Sequence, residues 1–125
     1  MRKVDLSIII PFYNELSLIG DAVASIYAQT TIATLRFEII IVNDGTYDNN
    51  TVLENVPKSR LGELVVVTNE QTRGAGGARN TGVDMSEGAY IAFLDADDYW
   101  LKEKLELQMP LFIDGVTFIA TGYSF

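Results

Sequence analysis

Short apolar runs alternate with amphipathic segments along the chain. Runs rich in β-branched residues predict four strands, at residues 4–10, 37–42, 64–67 and 90–94. Apolar side chains at helical spacing predict helices between them, at residues 14–28, 46–59 and 73–86. A further helix is predicted at residues 101–111 and a last strand at residues 116–120. This alternation is typical of an α/β fold, with a mostly parallel sheet flanked by helices.

Individual residues set the expected ends of these elements. Pro11 has no amide hydrogen to continue a sheet ladder, so we expect the first strand to stop there. Asn14 is the expected N-cap of the first helix. Pro57 must end or kink the second helix.

The composition narrows the chemistry that is available. The chain has 125 residues, the length of one ordinary domain. It carries nine Lys and Arg against 17 Asp and Glu, and the resulting net charge of −8 disfavours nucleic acid as a partner. The absence of Cys and His excludes disulfides, thiolate metal sites and a histidine base, which leaves carboxylates. No apolar run approaches the ~20 residues that span a bilayer, and no signal peptide is recognisable. We therefore expect a cytoplasmic location without a transmembrane segment.

Polar clusters follow three of the predicted strands. They lie at residues 12–15, 43–45 and 95–98, and the carboxyl ends of parallel strands are where such sheets bind ligands. The tripeptide Asn43-Asp44-Gly45 alone is better explained as a turn. Three carboxylates within residues 95–98 repel one another unless a cation lies among them, and their hard oxygens suit Mg²⁺ or Mn²⁺. The acidic cluster therefore predicts a divalent metal site.

Two other acidic motifs do not fit these residues. An EF-hand loop that began at Asp95 would need glycine where Trp100 stands. A phosphotransferase motif of the haloacid dehalogenase type would need glycine in place of Asp98, after a first strand rather than a fourth.

The glycine-rich segment at residues 73–82 has two possible interpretations. A dinucleotide fingerprint would need glycine at Arg79, and a Walker A loop would need Lys-Ser/Thr after Gly82. Neither motif is present. Either Arg73 and Arg79 flank a turn that meets a diphosphate, or the small residues let a helix pack closely on the sheet.

Three further residues at the strand ends have alternative roles. Tyr13 could stack on a planar base or pack on the first helix. Asp44 could accept a hydrogen bond from a base or close its own turn. Glu15 could meet a ligand or favour the first turn of the helix through the helix dipole. Tyr99 and Trp100 are expected to be packing residues.

Four segments, taken together and in order, resemble the family 2 glycosyltransferases, which have the GT-A fold. The first is Pro11-Phe12-Tyr13-Asn14-Glu15, and Gln29-Thr30 matches the end of the helix that follows. The second is Asn43-Asp44-Gly45-Thr46 with Asp48 and Thr51. The third runs from residue 74 to 82 and the fourth from residue 88 to 98. One departure is Thr72, where the family has asparagine.

The resemblance implies roles for particular residues. Pro11, Tyr13 and Glu15 would line the pocket for the base and ribose, and Asp44 would bond the base, typically uracil. Arg73 or Arg79 would lie near the diphosphate. Asp95 would reach the ribose or a metal-bound water. Asp97, with Asp98, would hold the Mn²⁺ or Mg²⁺.

The resemblance also implies a reaction. A sugar would pass, with inversion, from a UDP-sugar to a saccharide or lipid-linked acceptor, as in polysaccharide biosynthesis, and the metal would act as a Lewis acid toward the leaving nucleoside diphosphate. Residues 1–125 would form a single nucleotide-sugar-binding domain, truncated before the acceptor-binding half and its carboxylate base. The exposed sheet edge would permit a homodimer, and acceptor binding would permit a peripheral position at the cytoplasmic face of a membrane.

The alternative is a non-catalytic nucleotide-binding α/β module, such as a receiver domain. A receiver would carry acidic residues after its first strand, where this chain has Pro11-Phe12-Tyr13. It would also carry a lysine after its last strand, where this chain has Thr121-Gly122.

Overall fold

The computed structural model describes residues 4–108. Its elements in chain order are β1 (Val4–Phe12), α1 (Ile19–Tyr27), a short 3-10 helix (Ile32–Thr34), β2 (Phe37–Asn43), α2 (Asn49–Glu54), β3 (Glu63–Thr68), α3 (Ala75–Met85), β4 (Gly88–Phe93) and α4 (Lys104–Gln108). The strand predicted at residues 116–120 and the end of the last predicted helix lie outside the described residues. Within residues 4–108, no helix is long and apolar enough to cross a membrane.

The four strands form one parallel sheet in the order β3-β2-β1-β4. The predicted α/β architecture is therefore confirmed. The chain adds β2 and β3 on one side of β1 and then crosses over to place β4 on the other side. This reversal of direction opens a crevice beyond the carboxyl ends of β1 and β4, where open α/β sheets bind ligands.

The core lies on both faces of β1 and β2, whose near-continuous apolar sequences suit strands covered on both sides. On one face, Ile8 and Ile39 pack with α1 residues such as Val23. On the other face, Ile9 and Ile40 pack with Ala78 of α3. The two helical layers hold the ends of the strands in place around the crevice.

The first strand does not stop at Pro11, as the sequence predicted, but continues to Phe12. The O of Phe12 accepts from Asp44 on the β2 side, and the O of Ile9 accepts from Leu94 on the β4 side. Because successive residues of a strand face opposite neighbours, the nitrogen of Pro11 faces the β4 side. The pairing with β4 ends at Ile9 and Phe93, so the missing N–H interrupts no ladder.

The predicted starts of the first two α-helices are wrong, and the second helix is also shorter than predicted. Helix α1 begins at Ile19, and Asn14 instead accepts hydrogen bonds from the backbone and hydroxyl of Thr46 at 3.0 and 3.3 Å. Helix α2 begins after Asp48, whose side chain accepts from Thr51 N at 2.8 Å, and ends before Pro57. Asn14 is thus engaged in a tertiary contact instead of capping α1, and the cap supplied by Asp48 fixes the start of α2.

A buried polar pair joins the strands at their amino-terminal ends. Ser7 Oγ donates to Glu38 Oε2 at 2.6 Å and accepts from Gly88 N at 2.8 Å. Glu38 Oε2 also accepts from Glu87 N at 2.7 Å. These bonds connect β1, β2 and the start of β4 at the end of the sheet opposite the crevice.

Candidate functional site

A cavity of about 600 Å³ occupies the crevice at the carboxyl ends of the strands. The residues predicted from the sequence that line it are Pro11, Tyr13, Glu15, Asp44, Arg73, Arg79, Asp95 and Asp97. Asp98 lies beside it, in the acidic cluster, without lining the cavity. The structure thus brings together at one sheet edge residues that come from all four sequence motifs.

The turn after β1 presents an aromatic ring to this cavity. Tyr13 is 56% exposed, so it is not buried against α1. Its backbone N–H donates to Glu15 Oε1 at 2.7 Å. Because α1 begins only at Ile19, Glu15 lies outside the first turn of that helix and instead stabilises the turn that carries Tyr13.

Asp44 connects the end of β2 to the loop before α3. Its Oδ1 accepts from Asn69 Nδ2 at 2.9 Å, and its Oδ2 accepts from Gly74 N at 2.7 Å. Arg73 donates to the backbone O of Asp44 at 3.4 Å. The bonds from Asn69 and Gly74, with a smaller contribution from the charge of Arg73, hold the pKa of the Asp44 carboxyl below its ordinary value. The group is therefore an ionised acceptor at neutral pH.

The turn after β2 is closed by Asn43 rather than by Asp44. Asn43 Oδ1 accepts from Gly45 N at 3.0 Å, and its Nδ2 donates to Tyr47 O at 2.8 Å. Gly45 is required here, because a Cβ on it would lie 1.5 Å from Tyr13 O. With Asn43 closing the turn, the carboxylate of Asp44 is left to face the cavity.

Asn69, just past β3, organises the site and was missed by the sequence analysis. Besides its bond to Asp44, it donates to Thr72 O at 3.1 Å and accepts from Thr81 Oγ1 at 2.7 Å and Gln71 N at 3.0 Å. The signal that could have found it is its position, since a polar amide directly follows a strand at the ligand-binding edge.

The glycine-rich segment packs closely on its surroundings, and both of its arginines line the cavity. A Cβ on Gly77 would lie 1.6 Å from Thr72 O, and one on Gly82 would lie 2.4 Å from Ile9 Cγ2, so both glycines allow close packing. Gly74, the N-cap of α3, has a φ of 109°, a conformation that other residues rarely adopt. Arg73 and Arg79 both line the cavity on either side of this turn.

Arg79 reaches from α3 to the end of β4. Its Nη2 lies 3.3 Å from Asp95 Oδ1, and its guanidinium carbon lies 6.0 Å from the centre of the Phe93 ring. An exposed ion pair of this kind contributes at most about 1 kcal/mol to stability. The contact matters more because it places a cation between the glycine-rich segment and the acidic cluster.

Residues 95–98, which we call the acidic turn, bring three carboxylates together. One oxygen each from Asp95, Asp97 and Asp98 lies within 4.8 Å of the other two. The N–H of Asp98 donates to the O of Asp95 at 3.0 Å and closes the turn. A donor set made only of carboxylate oxygens fits Mg²⁺ or Mn²⁺, which prefer hard ligands.

The family model of glycosyl transferase family 2 matches residues 7–124. This chain belongs to glycosyl transferase family 2. The match includes all four motifs, so the resemblance stated from the residues is confirmed.

Relatives of this family 2 chain have names that include their substrates or products. It is 34% identical over 119 residues to the UDP-Glc:alpha-D-GlcNAc-diphosphoundecaprenol beta-1,3-glucosyltransferase WfgD of Escherichia coli, covering 94% of this chain and 45% of WfgD. It is 34% identical over 113 residues to the amylovoran biosynthesis glycosyltransferase AmsB of Erwinia amylovora, covering 89% of this chain and 36% of AmsB. The chain thus spans less than half the length of either relative.

Solved structures of a third protein share the fold of this family 2 chain. A crystal structure of S. aureus TarS, residues 1–349, superposes with a TM-score of 0.70 at 30% identity, covering 85% of this chain and 31% of the TarS chain. TarS in complex with UDP-GlcNAc superposes with a TM-score of 0.67 at 28% identity, covering 85% of this chain and 30% of that one. The parallel sheet and its flanking helices therefore have the GT-A fold that the sequence predicted.

Proposed function

We propose that this chain binds the nucleotide-sugar donor of a glycosyltransferase, and that the whole protein transfers the sugar to a saccharide or lipid-linked acceptor. The observation that carries the proposal is the cavity at the carboxyl ends of the strands. An exposed tyrosine, an ionised aspartate, two arginines and an acidic turn converge on it. Each has the chemistry that one part of a nucleoside diphosphate sugar requires.

The base would lie between the turn after β1 and the end of β2, and we propose that it is uracil. Tyr13 offers a ring for stacking, and Pro11 and Glu15 line the same part of the cavity. Asp44, kept ionised by Asn69 and Gly74, can accept only, which suits the imide N–H of uracil. Each carboxylate oxygen has a second lone pair, so its existing bonds leave room for this one. The names of WfgD and of the TarS complex, which contain UDP-sugars, support the same choice.

The diphosphate would lie near Arg73 and Arg79. The two guanidinium groups could donate charged hydrogen bonds to a diphosphate, but the acidic turn, which lines the same cavity, would repel it. A divalent cation held by Asp97 and Asp98 would remove that repulsion, with Asp95 on the ribose or a coordinated water. When bound, Mn²⁺ or Mg²⁺ would supply Lewis acidity that neutralises charge on the departing nucleoside diphosphate.

The acceptor and the place of the reaction follow from the same proposal. The name of WfgD includes an undecaprenol diphosphate acceptor, which supports a lipid-linked acceptor here. Such an acceptor would require the whole protein to work at the cytoplasmic face of a membrane, where nucleotide sugars are available.

The test is a calorimetric titration of UDP into the chain, with Mn²⁺ and then with EDTA. We expect binding that requires the metal and that is lost in Asp97→Asn. Asp21→Asn removes the same charge from the exposed face of α1, away from the cavity, and should bind as the unaltered chain does. UDP binding of equal strength in EDTA, or in Asp97→Asn, would contradict the metal-bridged donor site.

A further inference from the structure

Ser25, in α1, and Gln29, two residues after α1 ends, hold the segment that follows the acidic turn. The backbone N–H of Trp100 donates to Ser25 Oγ at 3.0 Å. Gln29 Nε2 donates to Leu101 O at 2.7 Å, and Gln29 Oε1 accepts from Leu105 N at 2.9 Å. The chain that leaves the acidic turn is therefore bonded to α1 and to the residue two positions after it, more than 70 residues away in sequence.

The carboxamide of Gln29 has little freedom to move. The residue is 3% exposed, and its Nε2 also donates to Ser25 O at 3.1 Å. The neighbouring Thr30 N donates to Lys102 O at 3.1 Å, which adds a backbone bond to the same segment. Truncating Gln29 would leave the N–H of Leu105, in a buried bond, and the carbonyl of Leu101, in a partly buried one, without their partner, and the loss of the buried bond is costly inside a protein.

The acidic turn is thus anchored at both ends. Before it, Leu94 N donates to Ile9 O at 3.0 Å and Leu94 is buried; within the turn, Ala96 is buried as well. After it, Trp100 is bonded to Ser25 and is itself buried. Three carboxylates within 4.8 Å of one another repel, so the anchors oppose the tendency of the turn to spread.

We propose that Ser25 and Gln29 are positioning residues of the cation site. By holding residues 100–105 against α1 and the residues just after it, they keep the carboxylates of Asp97 and Asp98 close together before a cation arrives. If one end of the turn were released, cation binding would have to order the turn again, and this entropic cost would lower the affinity for the cation. The inference rests on the proposed role of the acidic turn in binding a divalent cation.

A purely structural role for Gln29 makes a different prediction. Leu105 lies in the first turn of α4, where backbone N–H groups lack partners within the helix, so Gln29 also satisfies one of these. If that were its whole role, truncation would lower stability and leave cation affinity unchanged. Ser7→Ala is a matched control, because it removes buried hydrogen bonds at the opposite end of the sheet.

The experiment is a calorimetric titration of Mn²⁺ into the 125-residue chain, with quenching of Trp100, its single tryptophan, as a second readout. In Ser25→Ala and Gln29→Ala we expect Mn²⁺ to bind more weakly, on the order of 10-fold, the low end of the loss seen when a group bonded directly to a metal ligand is removed, because these two bond only to the segment after the ligands. Ser7→Ala should lower Tm as well but keep the Mn²⁺ affinity of the unaltered chain. Ser25→Ala removes only one of the bonds, so it decides the question even if Gln29→Ala fails to fold.

The outcomes separate this inference from the proposed function. Folded Ser25→Ala or Gln29→Ala that binds Mn²⁺ as tightly as the unaltered chain would overturn the positioning role and leave the cation site intact. Equal weakening in Ser7→Ala would also overturn it, because general loss of stability would then explain the effect. If the unaltered chain itself binds no Mn²⁺, the cation site and the inference fall together.

Discussion

Asn69 Nδ2 donates to Asp44 Oδ1 at 2.9 Å and thereby joins the carboxyl ends of β3 and β2. The same carboxylate accepts from Gly74 N, so one side chain connects two strand ends to the start of α3. The loop between β3 and α3, which carries Arg73, is therefore held against the cavity by a charged hydrogen bond.

Asn69→Ala should destabilise the chain by about 1–3 kcal/mol, because a partly buried carboxylate and Thr81 Oγ1 each lose a partner. Urea unfolding would measure this loss. Asn50→Ala changes an exposed asparagine in the first turn of α2 and should stay within about 0.5 kcal/mol of the unaltered chain. A loss no greater than that of Asn50→Ala would show that the Asp44 contact contributes little.

The destabilisation in Asn69→Ala should depend on pH. The pKa of Asp44 is lowered in the folded state, so its contribution to stability is complete above its unfolded pKa and is lost as the pH falls through its folded pKa. Urea unfolding of both chains at about pH 7 and at about pH 2 should therefore show a smaller difference in the acidic solution. A difference that stays constant would mean that the ionised form of Asp44 is not what Asn69 stabilises.

Gly76 and Gly77 are adjacent in α3 and should respond in opposite ways to alanine. A Cβ on Gly76 meets nothing within 4 Å, so Gly76→Ala should stabilise the helix by about 0.5–1 kcal/mol. A Cβ on Gly77 would lie 1.6 Å from Thr72 O, so Gly77→Ala should lower Tm strongly. Thermal unfolding of the pair is the measurement, and equal shifts would contradict the packing of α3 on the preceding loop.

Arg79→Ala should weaken UDP binding in Mn²⁺ by about 10-fold or more, the typical effect of losing a charged hydrogen bond. Uridine, which has no phosphates, should bind both chains alike. Arg36→Ala is the control, because Arg36 also forms an exposed ion pair, with Asp5 at 3.5 Å, and does not line the cavity. If Arg79→Ala weakened the binding of uridine as much as that of UDP, Arg79 would act by maintaining the structure of the pocket rather than by contacting the diphosphate.

Tyr13→Ala should weaken uridine binding by about 1–3 kcal/mol, the usual contribution of a base stacked on an aromatic ring. Tyr13→Phe keeps the ring and should bind nearly as the unaltered chain does. Tyr47→Ala removes another exposed tyrosine, one that does not line the cavity, and should have no effect. Unchanged affinity in Tyr13→Ala, measured by calorimetry, would place the base elsewhere.

Much of the fold could be predicted because its signals are local. The four described strands were recognisable from apolar runs, and each lies within two residues of its predicted bounds. The helix ends were less predictable, since Asn14 has the residue type of an N-cap but bonds to Thr46, 32 positions away. Residue type indicates what a side chain can accept, whereas the folded chain decides which donor reaches it.

The sequence by itself determined the parallel α/β class and the candidate residues of the site, because periodicity and turn chemistry act between near neighbours. Only the tertiary structure decided that β4 pairs with β1, which opens the crevice. It also decided that Asn69 bonds Asp44 and that Gln29 holds the segment after the acidic turn, over separations of 25 and 76 residues. Such contacts depend on how crossovers and helix layers bring distant segments together, and no local pattern records that arrangement.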